Sequence, residues 1–176
     1  GHLDDACGAL EPIEAALARS TDAWMRWRYA LHVCNARASI ELARRAPERA
    51  LAVAESEVAG AVRHRAPKIE ARALITAGRA LLELERPDEA RDRLGRAIAV
   101  ADRISTPRLA WRAHALLAQL ARRSGDRENA ERHAAVHARL LEASARSLAD
   151  AELRRRLLES AARDLGDEAS TFRRLT

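Results

Sequence analysis

Strand formers, glycine and aromatic rings are all scarce in this chain, which has seven Gly, five Pro and five aromatic residues among 176. With few β-branched or aromatic side chains there is little to hold a pleated sheet together, whereas the abundant Ala, Leu, Arg and Glu lose little rotamer freedom in a helix. The fold class expected is all-α. Two cysteines, Cys7 and Cys34, make no disulfide framework, and a chain of this length buries roughly two-thirds of its surface without one. No apolar run approaches the roughly 20 residues that cross a bilayer, and no signal-peptide pattern opens the chain. A soluble, cytoplasmic protein is expected, with no membrane partner. Gly1-His2 reads as a cloning scar, and the chain then reads as a piece excised from a longer protein.

Lysine is nearly missing as well: Lys68 stands alone beside 30 arginines, for a formal charge of +5. Such a ratio reads as codon bias towards Arg. Most of the arginines alternate with Asp and Glu along predicted helices, the pattern of a solvated face laced with ion pairs. No clustered stripe for neutralising phosphates stands out, so no nucleic-acid partner is expected. Catalytic signatures are absent too, with no G-x-x-x-x-G-K-[ST] loop, no G-x-G-x-x-G, no H-E-x-x-H and no glycine-flanked serine elbow. Scattered carboxylates on wet faces have no reason to shift their pKa towards neutrality. The expectation is a non-enzyme with no cofactor.

What is present is a repeat. Pro47 and Pro87 stand 40 residues apart, as do Pro67 and Pro107, and Ala50, Ala90 and Ala130 keep the same interval. Three units follow, at about 28–66, 67–106 and 107–146. Each holds two apolar-periodic segments joined by a tight break: RAPERA at 45–50, RPDEA at 86–90 and SGDRENA at 124–130. Each unit therefore reads as a helical hairpin. Pro67 and Pro107 suit a first helical turn, where the missing N–H has no partner anyway, and Thr106 is placed to cap the helix at Pro107. Gly125 can end one helix in a left-handed conformation while Asp126 caps the next.

The middle unit is more specific. Leu74, Ala77-Gly78 and Leu81, then Ala90, Leu94 and Ala97, fit the spacing W-x2-L-G-x2-Y followed by A-x3-F. Gly78 and Ala90 lack bulk where two helices must approach, and Leu81 and Leu94 fill the remaining space. On these residues the unit resembles a tetratricopeptide repeat. The third unit keeps Leu117-Ala118, Gly125 and Ala130 but has His114, Ala121 and Ala134 where larger apolar residues are usual. The first keeps Ala38 and Ala50 but has Cys34, Arg37 and Glu41 at matching sites. The period of 40 exceeds the family's 34, so longer helices are expected. The segment SLADAELRRRLLESAARDL, 147–165, resembles the stretch that ends the helical sensor regions of MalT-type (STAND) bacterial ATP-binding transcriptional regulators. These resemblances imply a right-handed α-solenoid of about eight helices, one domain over 3–165, acting as a binding module of a larger bacterial signalling or transcription-regulatory protein.

Capping helices are expected at 3–18, with Leu3, Cys7, Leu10 and Leu17 on one face, and at 148–164, begun by Ser147 or Asp150 with Leu153, Leu157 and Ala161 inward. A flexible tail is expected over 166–176. The cluster Trp24-Met25-Arg26-Trp27-Arg28-Tyr29 reads as core: Trp24, Trp27, Leu31, Cys34, Ala38 and Leu42 form one stripe at helical spacing, beside a second through Tyr29, Val33, Ala36, Ile40 and Ala43. Arg26 and Arg28 would snorkel outwards. Trp111 reads as core also. Cys7 and Cys34, near-equidistant from the turn around Ser20, read as reduced core residues that face one another.

His133 and His137 share a helix face and His114 falls nearly opposite, so three imidazoles could hold Zn²⁺. With no carboxylate placed to orient them, no metal is expected. The stronger candidate is a groove. In a tetratricopeptide-like stack the first helix of each pair lines the concave wall, and its open side here carries His32, Asn35 and Ser39, then Arg72, Ile75 and Arg79, then Arg112, Ala115, Gln119, Arg122 and Arg123. Guanidinium groups donate paired hydrogen bonds to carboxylates, so an acidic protein segment is the expected guest, from a partner or another domain of the same chain. An anionic metabolite, with the domain as its sensor, and a homo-oligomeric scaffold are the rival expectations.

Overall fold

The computed structural model describes residues 2–159 and residue 161. The expected tail at 166–176 and the end of the last capping helix lie outside the described residues. Helices run α1 (His2–Arg19), α2 (Ala23–Ala43), α3 (Pro47–Arg63), α4 (Pro67–Glu83), α5 (Pro87–Arg103), α6 (Pro107–Arg123) and α7 (Arg127–Arg146), followed by a further helix, α8, that starts at 151 and is described to 159. No strand occurs among the described residues. The fold is an all-α solenoid.

A rhythm of 20 residues underlies the 40-residue repeat. Prolines 47, 67, 87 and 107 each open a helix of 17 residues, and three-residue turns join them. At every turn the middle residue has positive φ: Arg45 at 59°, Arg65 at 51°, Glu85 at 57°, Ser105 at 52° and Gly125 at 74°. The residue after it returns its N–H to a carbonyl five positions back, as in Ala46 to Glu41, Ala66 to Ala61 and Asp126 to Ala121. These are five successive Schellman endings, which satisfy the last carbonyls of each helix and aim the next helix back along it. Asp126 caps α7 through Asn129 N–H, and Asp22 caps α2 through the N–H groups of Trp24 and Met25 at 2.9 and 3.0 Å. Thr106 does not cap α6 with its side chain; its hydroxyl donates to the Ile104 carbonyl at 3.2 Å.

Consecutive helices pack as antiparallel neighbours, and α2 also touches α4 as α4 touches α6. No comparable contact joins α3 to α5 or α5 to α7 among the described residues. Helices α2, α4 and α6 are therefore a parallel inner layer and α3, α5 and α7 a splayed outer one, so the inner wall is concave. The apolar core is centred on α4, α5 and α6, where Leu74, Leu81 and Leu94 are sealed. Gly78 sits directly on Leu94: a Cβ there would lie 2.7 Å from its Cδ2. The ends are thinner, with Cys7 the buried residue of α1, and Ala130 and Ala145 those of α7.

The aromatic cluster is not core. Trp24, Met25 and Tyr29 are 54%, 40% and 45% exposed, and Trp27 is half-buried, stacked on the His64 ring at 4.5 Å. The stripe of which they form the start sinks only at Leu31, Ala38 and Leu42. For Trp24 and Met25 the cause is length: α2 has 21 residues against the 17 of α3 and α4, so its first turn overhangs both neighbours. Trp111 is buried as expected. At the two ends Leu3 and Leu153 are exposed where inward positions were expected, while Ala161 is buried. Asp150, and not Ser147, starts α8, its carboxylate accepting from the N–H groups of Glu152 and Leu153.

Candidate functional site

The expected groove residues all lie on the three inner helices, but they differ in what they offer. On α2, His32 and Ser39 are exposed and Asn35 half-buried; the Ser39 hydroxyl is turned back to the Asn35 carbonyl at 2.8 Å. Ile75 on α4 and Ala115 on α6 are buried, so they form floor and not contact surface. Gln119 and Arg112 are half-buried and Arg122 is exposed.

Several of the arginines are committed to the fold. Arg72 Nη2 donates to Glu57 Oε1 at 2.7 Å and reaches the Leu31 carbonyl at 3.5 Å, tying α4 to α3 and α2. Burial pushes the Glu57 carboxyl up, and the hydrogen bond and charge of Arg72 pull it back down. Arg79 lies 3.8 Å from Glu83 one turn along α4. Arg123 Nη1 donates to the Leu82 carbonyl at 2.9 Å, and burial lowers its pKa against the opposing charges of Glu85 and Glu83. His32, though exposed, is lowered by the partial loss of hydration on the wall and by the nearby cations Arg72 and Arg28. Glu57 and Glu83 went unnoticed in the sequence because nothing local distinguishes them from the carboxylates on wet faces.

The inner wall is nonetheless cationic. Helix α6 carries four arginines and no carboxylate, and the one carboxylate within α2, Glu41, is buried. At the start of the wall Arg28 lies over the Trp24 ring, 5.2 Å from its centroid. Trp24, Arg28, His32 and Ser39 fall on one side of α2 at helical spacing, so the exposed cluster prolongs the groove stripe.

The three histidines do not gather. His114 Nδ1 and His133 Nδ1 meet at 2.9 Å between α6 and α7, but His137 turns its Nδ1 to the Trp111 carbonyl at 3.0 Å. Among the described residues no group of three His, Cys, Asp or Glu is placed to hold a metal ion. The cysteines are both free. Cys7 Sγ lies 3.6 Å from Arg37, which also grips Glu14, while burial and then Glu57 and Glu14 raise the Cys34 thiol. An open hollow between α6 and α7 is lined by Arg122, Gly125, Arg127 and Glu131, the last two paired with each other.

No family model and no curated protein matches the chain. Among solved structures it is similar to the crystal structure of the TPR domain of Arabidopsis FLU, with a TM-score of 0.63 and 20% identity over 66% of this chain and 98% of that one. The chain has a tetratricopeptide-like fold. At that identity the likeness is one of backbone arrangement. In this arrangement α2, α4 and α6 are the inner helices, and they carry the cationic wall. No helix among the described residues is long and apolar enough to cross a membrane.

Proposed function

We propose that this domain is a non-enzymatic docking module that holds an acidic polypeptide segment in the groove of α2, α4 and α6. The observation that carries this reading is the composition of the wall: α6 carries four arginines and no carboxylate, and the one carboxylate within α2, Glu41, is buried. A partner rich in carboxylates complements such a wall, through charge-assisted hydrogen bonds to its guanidinium groups. The resemblance of 147–165 to regulator sensor regions supports a setting in a larger bacterial signalling or transcription-regulatory protein in the cytoplasm, where the segment could equally belong to another domain of the same chain.

Fluorescence anisotropy with labelled acidic and basic peptides tests this. Acidic peptides should bind, weakening with salt, and the double substitution of the exposed Arg108→Glu and Arg122→Glu should abolish binding while the melting temperature stays high. Equal binding of basic peptides would refute the reading. Heat on titrating small dicarboxylates, with none from peptides, would favour a metabolite sensor.

A further inference from the structure

Because the inner helices are parallel and 40 residues apart in register, residues spaced by 40 stand side by side across the wall. Arg28, Lys68 and Arg108 form one such row, all three exposed. His32, Arg72 and Arg112 form the row behind it, one helical turn deeper. Both rows lie at the edge where outer helices hand over to inner ones. There the twelve-residue windows 21–32, 61–72 and 101–112 hold nine Arg and Lys against three Asp and Glu. The windows at the opposite edge, 41–52, 81–92 and 121–132, hold nine against ten. The positive charge of the repeat region is thus concentrated along one edge of the wall. At the α2 end of that edge the exposed Trp24 and Met25 add an apolar ledge.

We propose that the row Arg28, Lys68 and Arg108 reads an acidic segment laid across the inner helices with a carboxylate at every third residue, its apolar end seated on Trp24 and Met25. The inference rests on the groove reading and specifies its guest. Packed helices stand roughly 10 Å apart. In a polyproline-II segment, three residues make one turn of about 9 Å, so residues i, i+3 and i+6 face one way at nearly the spacing of the row. Each carboxylate then meets one cation. Such a guest is also already extended, so little conformational entropy opposes docking. The ledge supplies what charge does not: an end point that fixes register, through Trp and Arg side chains of the kind that dominate interface energies.

A single-stranded nucleic acid fits less well. It needs rings on which successive bases stack. Helix α4 has no aromatic residue and Trp111 on α6 is 4% exposed, so no succession of rings follows the row from α2 to α6.

The test uses two labelled peptides of identical composition, DPSDPSDLF and DDDPSPSLF, and a short oligothymidylate, each titrated by anisotropy into the whole chain and into the variants Lys68→Glu and Trp24→Ser. The spaced peptide should bind at least tenfold tighter than the clustered one. Lys68→Glu should remove at least tenfold of its affinity, and Trp24→Ser should weaken it while leaving a control without Leu-Phe unchanged. If both peptides bind equally, or either substitution is without effect, the row does not read spacing, although the groove reading survives. If neither peptide binds, the groove reading falls and this inference with it. Oligothymidylate binding as tight as the spaced peptide, with the same Lys68 dependence, would replace the polypeptide guest by a nucleic acid.

Discussion

Glu57 on α3 has no exposed surface, and Arg72 on α4 supplies its hydrogen bond, Nη2 to Oε1, at 2.7 Å. The pair keeps two polar atoms without a hydrogen bond, Glu57 Oε2 and Arg72 Nε. Its geometry is therefore that of a lock between repeats more than of a free contribution to stability. Removing one partner leaves the other buried and unmatched, whereas removing both leaves an apolar contact. Arg72→Met should cost about 3 kcal/mol, and Glu57→Leu on the same chain should recover most of it, as read from urea midpoints.

The same pair has a pH signature. Burial holds the Glu57 carboxyl above its ordinary value, so the folded state favours its protonated form. Whatever that preference contributes is present below the unfolded pKa and lost as pH rises through the folded one. Loss of Arg72 removes the two influences that oppose the upward shift. The stability deficit of Arg72→Met should accordingly shrink as pH is lowered from 7 towards 5; a deficit independent of pH would mean that Glu57 is solvated in the variant.

His114 moves in the other direction. Burial first, then the charge on His133, lowers it to about 4 from 6.5, with Asp102 opposing and His137 and Arg139 adding to the shift. A histidine depressed in the folded state stabilises the fold above its unfolded pKa, and that stabilisation is lost as pH falls through 6.5 towards 4. His133, also lowered by burial and by Arg132, acts in the same sense across the 2.9 Å contact between α6 and α7. The urea midpoint should drop between pH 7 and pH 5, and the drop should be smaller in His114→Asn.

Most of the architecture is legible in the sequence because it is periodic: prolines at helix starts, small residues at Gly78 and Ala90, and Asp126 after Gly125 are local signals. The exposure of Trp24 is not, because apolar spacing tells which residues share a face and not whether a neighbouring helix is long enough to cover it. The 20-residue turn rhythm stands in the prolines, yet four of its five left-handed residues carry side chains, so the glycine signal for them is missing. Of the groove, the side of each helix follows from spacing. The Arg79–Glu83 pair, four residues apart on one helix, stands in the spacing, whereas the partner of Arg72 depends on tertiary contact with Glu57 on α3, which spacing does not encode.

Those left-handed turn residues yield a prediction of their own. An L side chain in this conformation costs about 1 kcal/mol relative to glycine, and Arg45, Arg65, Glu85 and Ser105 all adopt it. Ser105→Gly should raise stability by roughly 0.5 kcal/mol, since part of the gain is offset by the greater freedom of glycine in the unfolded chain. Gly125→Ala should lower it by about 1 kcal/mol, with no gain from new contacts, because nothing lies within 4 Å of the added Cβ. Thermal melts of the two single variants decide both signs.

Gly78 and Leu94 provide the sharpest packing test. A Cβ at 78 would come within 2.7 Å of both Leu94 Cγ and Cδ2, and Leu94 has no exposed surface and belongs to the core that α4, α5 and α6 share. Gly78→Ala gains helix propensity worth about 1 kcal/mol, but overpacking of a closed core costs about 1–3 kcal/mol, so the net should be destabilising. Leu94→Ala opens a cavity and should cost about 2–5 kcal/mol. In the double variant the new methyl enters the space that Leu94 vacated, the clash disappears and the propensity gain remains. The double variant should therefore be more stable than Leu94→Ala alone, a change of sign for the same Gly78→Ala step that additive effects cannot produce.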